Sequence, residues 1–162
     1  MRRIAIALAA LGLAAAACAE QPVPPPDDPV ARYTSTATAG EIRFAPVAIS
    51  LEVDEPVAAY QVELVVRRGE ATVVGVEGGE GEGFEEAPYY DPAALQGGRI
   101  VIGAFSTEHV LTRGRHRVAA VHMREAGPEP AEYELRLVAA ASASGERTDA
   151  RPVIGPGKGA SR

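Results

Sequence analysis

The sequence predicts an all-β domain, an antiparallel sandwich of short strands, on three observations. Apolar side chains recur at every second position in several segments, the mark of a strand with one buried face. Turn residues separate those segments at short intervals, which suits a sandwich better than alternating strand and helix. The apolar content is mostly Ala and Val, with no Trp, three Phe and five Tyr among 162 residues, so the core is thin and largely β-branched.

Before the body lies an address. Arg2 and Arg3 precede an apolar run over 4–13, and small residues over 14–17 lead to Cys18. Charge, a short apolar stretch and small residues make a secretory signal peptide over 1–17. Counted through Ala17 the run is about 14 residues, short of the roughly 20 that a spanning helix needs. Ala15-Ala16-Ala17-Cys18 resembles the lipobox of bacterial lipoproteins. The resemblance implies lipidation of Cys18, membrane attachment through acyl chains, and a place in the cell envelope, periplasmic or at the surface. A plain secreted protein cut after Ala17 or Ala19 is the other reading. Residues 18–32 then form a Pro-rich tether, whose run AEQPVPPPDDP favours polyproline II and forbids a helix.

The body is expected over 33–153, as one domain with no internal repeat. Val47, Ile49, Leu51 and Val53 alternate with Ala48, Ser50 and Glu52. Tyr60, Val62, Leu64 and Val66 oppose Gln61 and Glu63. Tyr133, Leu135 and Leu137 alternate with Glu132, Glu134 and Arg136. The segments RIVIGAF (99–105) and VAAVHM (118–123) read as strands buried on both faces. A weaker strand covers 72–77, and another lies near Ile42 or after Thr148. Asp54-Glu55-Pro56, Arg68-Gly69, Gly78-Gly79, Gln96-Gly97-Gly98, Arg113-Gly114, Gly127-Pro128 and Ser144-Gly145 mark the turns. In DPAAL (91–95), Asp91 caps one helical turn with Pro92 at its first position. The core is expected to include Leu51, Val62, Leu64, Ile100, Ile102, Val118, Leu135 and Leu137. The Gly-rich segment 154–162 reads as a disordered tail.

The order of these segments carries a second resemblance. Residues 57–79 (VAAYQVELVVRRGEATVVGVEGG), 98–107 (GRIVIGAFST), 113–124 (RGRHRVAAVHMR) and 133–139 are similar to successive strands of cohesin-like domains. The resemblance spans roughly 45–150. It implies a jelly-roll-type sandwich of about eight to nine strands, related in fold to carbohydrate-binding modules. It also implies a role in holding a partner, a dockerin-like or other protein or a polysaccharide. Where the family commonly has Tyr-Asp, this chain has Val66-Arg67, so the resemblance is carried to the fold and not to a dockerin.

Charge narrows the partners. The chain carries a net −6, and loss of Arg2 and Arg3 makes the mature body −8. A surface of that sign repels nucleic acid and offers nothing to anionic headgroups. His109, His116 and His122 show no zinc-ligand spacing, so no metal or other cofactor is expected. His122 beside Met123 suggests copper at most, and a half-buried strand position accounts for it. Ser106-Thr107 near His109 lack a nucleophile elbow, so no catalytic residue is assigned. The run EGGEGEGFEE (77–86) reads as a solvated acidic loop without the ordered ligands of a calcium site. In FEEAPYYDP (84–92), Phe84, Tyr89 and Tyr90 are the candidate ligand contacts, being aromatic, in a loop and bounded by Pro88 and Pro92. The alternative for both Tyr rings is that they cover the end of the core. These features point to a monomeric, non-catalytic binding or assembly module. The alternatives are an enzyme or accessory subunit of polysaccharide processing, and a passive structural lipoprotein of the envelope.

Overall fold

A computed structural model describes residues 29–36 and 42–158. The signal peptide, Cys18 and most of the Pro-rich tether lie outside the described residues. Nine strands and one short 3-10 turn follow in order: β1 (Val30–Thr34), β2 (Arg43–Val53), β3 (Ala59–Arg68), β4 (Glu70–Gly78), β5 (Tyr89–Tyr90), the 3-10 turn (Pro92–Ala94), β6 (Arg99–Phe105), β7 (Gly114–Ala126), β8 (Glu132–Ala141) and β9 (Ala150–Pro156). They form two antiparallel sheets, a five-stranded one in the order β1-β8-β3-β6-β5 and a four-stranded one in the order β4-β7-β2-β9. Every connection except β5–β6 passes from one sheet to the other. The all-β sandwich expected from the sequence is therefore the fold.

Alternation becomes packing between the sheets. Val47, Ile49, Leu51 and Val53 of β2 face Val62, Leu64, Ile100, Ile102, Leu135 and Leu137 across the sandwich, all at most 5% exposed. All eight residues expected in the core are buried. Cross-strand register sets the rows: Val62 lies between Ile102 and Leu137, and Leu64 between Ile100 and Leu135. Fully burying side chains of this size contributes about 1.5–3 kcal/mol each. β7 is buried on both faces over Val118–Val121, as the sequence suggests, flanked by β2 and β4, with Val118, Ala119 and Val121 in the core between the sheets.

Three boundaries move. β1, which pairs with β8 from Val30↔Arg136 to Thr34↔Glu132, begins inside the segment expected to be tether. β9 continues through Ile154, Gly155 and Pro156, which pair with Ile49, Ala48 and Val47, so the expected tail begins in a strand. This strand lies at a sheet edge, where missing amide donors at Pro152 and Pro156 are tolerated. β6 is not buried on both faces: Ile100 and Ile102 are inside, whereas Arg99 and Phe105 are exposed. At the β3–β4 crossover Gly69 has φ +78, and a Cβ there would come within 2.9 Å of the Ala131 and Pro130 backbone, so both conformation and space require Gly.

Polar groups tie the sheets together at one end. Tyr133 of β8 donates its hydroxyl to Glu125 of β7 at 2.5 Å, and Arg43 of β2 donates to the same carboxylate at 2.7 and 2.8 Å. Tyr33 of β1 stacks on Tyr133, with centroids 6.1 Å apart. Burial is the largest cause raising the Tyr133 phenol above the usual tyrosine range, and the bond to Glu125 adds to it. Toward the opposite end, Tyr60 donates to the carbonyl of Val118 across the sandwich at 3.0 Å.

Candidate functional site

The end of the sandwich near Tyr60 is where the aromatic loop lands. After β4 the chain turns back on itself: Phe84 donates its amide to the Gly81 carbonyl at 2.9 Å, and Gly79 donates to the Phe84 carbonyl at 2.8 Å. This fold drives the Phe84 ring inward. It is 2% exposed and packs against Tyr60, with centroids 5.8 Å apart. Phe84, expected among the ligand contacts, is thus a core residue that plugs the end of the sandwich. The acidic loop is also less free than its composition suggests. Glu80 accepts from Lys158 at 2.6 Å and pairs with Arg117 at 3.2 Å, and these cations hold its carboxyl below the usual range. Glu82 lies 3.2 Å from the His109 ring.

The two tyrosines diverge because strand neighbours point to opposite faces. Tyr90, opposite Ile102, is partly buried and packs on the core, so the end-covering alternative describes it well. Tyr89, opposite Gly103, points outward and is 74% exposed. Its ring stacks on Phe105 of β6, with centroids 6.1 Å apart and planes 12° apart. Phe105 is itself 62% exposed. The apolar run 99–105 reads as doubly buried, yet its residues carry a signal for the outward turn of Phe105. Arg99 cannot easily be buried, and Val101, Gly103 and Phe105 share its parity.

A cleft of about 440 Å³ opens beside this pair, between the loop before β5 and the loop after β6. Tyr89 and Phe105 form its apolar side, and Glu85, Glu86, Glu108 and His109 contribute its polar rim. Its only basic side chain among the described residues is His109. Next to it, the outer face of β3 and β6 offers a shallow floor of Ala59, Gln61, Val101 and Gly103. Ser106 uses its hydroxyl to accept the amides of Glu108 and His109, at 3.4 and 3.0 Å, which braces the loop. That leaves the side chain engaged in turn structure.

The other histidines lie apart. His116 bonds the Thr112 carbonyl at 2.7 Å, and His122 sits 3.0 Å from Glu77 on the four-stranded sheet. Among the described residues, no group of three His, Cys, Asp or Glu is placed to hold a metal ion. No helix among them is long and apolar enough to cross a membrane. Comparison with protein-family models, with curated proteins and with solved structures found no match.

Proposed function

We propose that the chain is a non-catalytic binding or assembly module, held at a bacterial cell envelope by lipid on Cys18. Its partner, a protein or a polysaccharide, docks on the outer face of the five-stranded sheet at Tyr89 and Phe105. The two-sheet antiparallel sandwich is compatible with the cohesin-like architecture suggested by the sequence. One observation carries the reading: two large aromatic side chains stack on one another at a sheet edge, both more than 60% exposed. Rigid aromatic faces are effective contact surfaces because they bury much area at little cost in side-chain entropy. Scaffolds of this kind place binding residues at strand ends and loops, leaving stability to the core.

The address and the surface are tested separately. Cys18→Ser should move the protein from the membrane to the soluble fraction, and fatty-acid labelling of the wild type should disappear with it. Unchanged retention without labelling would refute the anchor. For the surface, crosslinking in the native cells should retain a partner with the wild type and lose it with Tyr89→Ala plus Phe105→Ala. Retention of the same partner by the double variant would move the site elsewhere.

A further inference from the structure

The outer face of the five-stranded sheet is divided by charge, and the division indicates what the aromatic pair takes. Away from the Tyr89–Phe105 corner arginines outnumber the carboxylates they pair, four (Arg32, Arg67, Arg99 and Arg136) around two (Glu63 and Glu134). Glu134 is held by Arg67 at 2.5 Å and Arg32 at 3.2 Å, and Glu63 by Arg99 at 2.6 Å. Arg136 lies between both carboxylates, at 3.7 and 3.9 Å. At the aromatic corner such arginine partners are absent among the described residues. Glu85, Glu86 and Glu108 are exposed at the cleft, and no ion pair or hydrogen bond engages their carboxylates among the described residues. Among the described residues, neither Lys nor Arg lines the cleft or the adjoining floor of the sheet.

Resting on the reading that Tyr89 and Phe105 form the docking surface, we infer that the occupant is a basic segment of a protein partner, with an Arg or Lys side chain laid against the two rings and its charge among Glu85, Glu86 and Glu108. The chemistry of the two sides of the cleft converges on such a group. Aromatic faces are negative at their centres and attract a guanidinium or ammonium, and a planar guanidinium also stacks. Unpaired carboxylates beside them add Coulomb attraction and hydrogen-bond acceptors, with no Lys or Arg among the described residues competing for them. A neutral glycan would use the rings and could donate hydroxyls to the carboxylates, but it would gain no Coulomb attraction from three unpaired charges. An acidic polymer would be repelled by them and by the chain's net −6.

With no Trp, emission comes from the five tyrosines, and the change that disappears in Tyr89→Ala is the share reported by Tyr89. The full chain would be titrated with a short peptide of alternating Gly and Arg, with its Gly–Gln counterpart, and with a neutral β-glucan oligosaccharide. The Arg peptide should quench emission saturably at low salt and much less at about 0.5 M salt, where such attraction is screened; the other two probes should not. Glu85→Gln with Glu86→Gln and Glu108→Gln should weaken the peptide at least about tenfold. Tyr89→Ala, read by calorimetry, should weaken it about threefold. These side chains are exposed, so the variants keep the fold. No binding of the Arg peptide, or binding unaltered by the three Gln substitutions, overturns the inference. Glucan binding that needs Tyr89 and Phe105, with or without the carboxylates, also overturns it while leaving the docking surface intact. Loss of that surface would show separately, as partner retention unaltered by the double aromatic variant.

Discussion

Two aromatic pairs in this molecule have the same geometry and opposite surroundings. Tyr33 on Tyr133 and Tyr89 on Phe105 each stack with centroids 6.1 Å apart and planes 12° apart. Tyr133 is 1% exposed, its hydroxyl is bonded to Glu125, and Arg43 closes the cluster from the facing sheet. Tyr89 and Phe105 have no such enclosure, and most of each residue's surface is open to solvent. Stacking alone therefore does not say what a ring pair is for. The first pair closes a core short of large side chains, whereas the second leaves its apolar area free to be buried by something else.

The sharpest way to break this contrast is to truncate the enclosed pair. Tyr133→Ala should cost about 3–5 kcal/mol, as for other buried aromatics, measured by chemical denaturation. A cost as small as a surface change would mean that Tyr133 is not part of the core. Leu64→Ala and Leu135→Ala, in the adjacent row, should each cost about 2–5 kcal/mol. Next comes the polar clamp. Glu125→Ala strips the carboxylate from both Tyr133 and Arg43 and should cost about 2–3 kcal/mol, since both donors bond a charged group. Near-neutral stability in that variant would mean that water satisfies both donors.

A smaller effect should appear in acid. Arg67 foremost, then Arg32, hold the Glu134 carboxyl below the usual range. Its folded value is thus lower than its unfolded one, so its contribution is present above the ordinary glutamate range. That contribution is lost as pH falls through the folded value. Glu134→Gln should lower stability at neutral pH and flatten its acid decline. An unchanged acid decline would show that the Arg–Glu lattice on this face is merely solvated charge.

Much of this contrast was legible in the sequence, and the rest failed for identifiable reasons. Strict alternation located β2, β3 and β8, because a one-residue slip would send Leu51, Leu64 or Leu135 into water. The turn capped by Asp91 followed from its residue types, and its side chain accepts the Ala93 amide at 2.9 Å. β1 was lost to the Pro-rich tether because it is five residues long and half exposed, so it carries almost no apolar pattern. The end of β9 was lost to its Gly and Pro, which an edge strand accommodates. At the candidate site, Tyr89 was found by its loop and composition. Phe84 and Phe105 were exchanged: the loop phenylalanine is core and the strand phenylalanine is surface. The inward turn of Phe84 depends on tertiary contact with Tyr60, which no local pattern encodes. The outward turn of Phe105 was encoded, in its parity with Arg99.

The central claim is that the exposed pair serves contact and not the fold, and one experiment addresses it directly. Tyr89→Ala with Phe105→Ala, in the full chain, is read by thermal melt and by crosslinked partner retention on the same preparation. The account predicts a melting temperature within about 2 °C of the wild type, because little buried area is removed, together with loss of the partner. A fall of about 10 °C or more would make these rings part of the fold, and an unchanged melt with full retention would remove them from the binding surface.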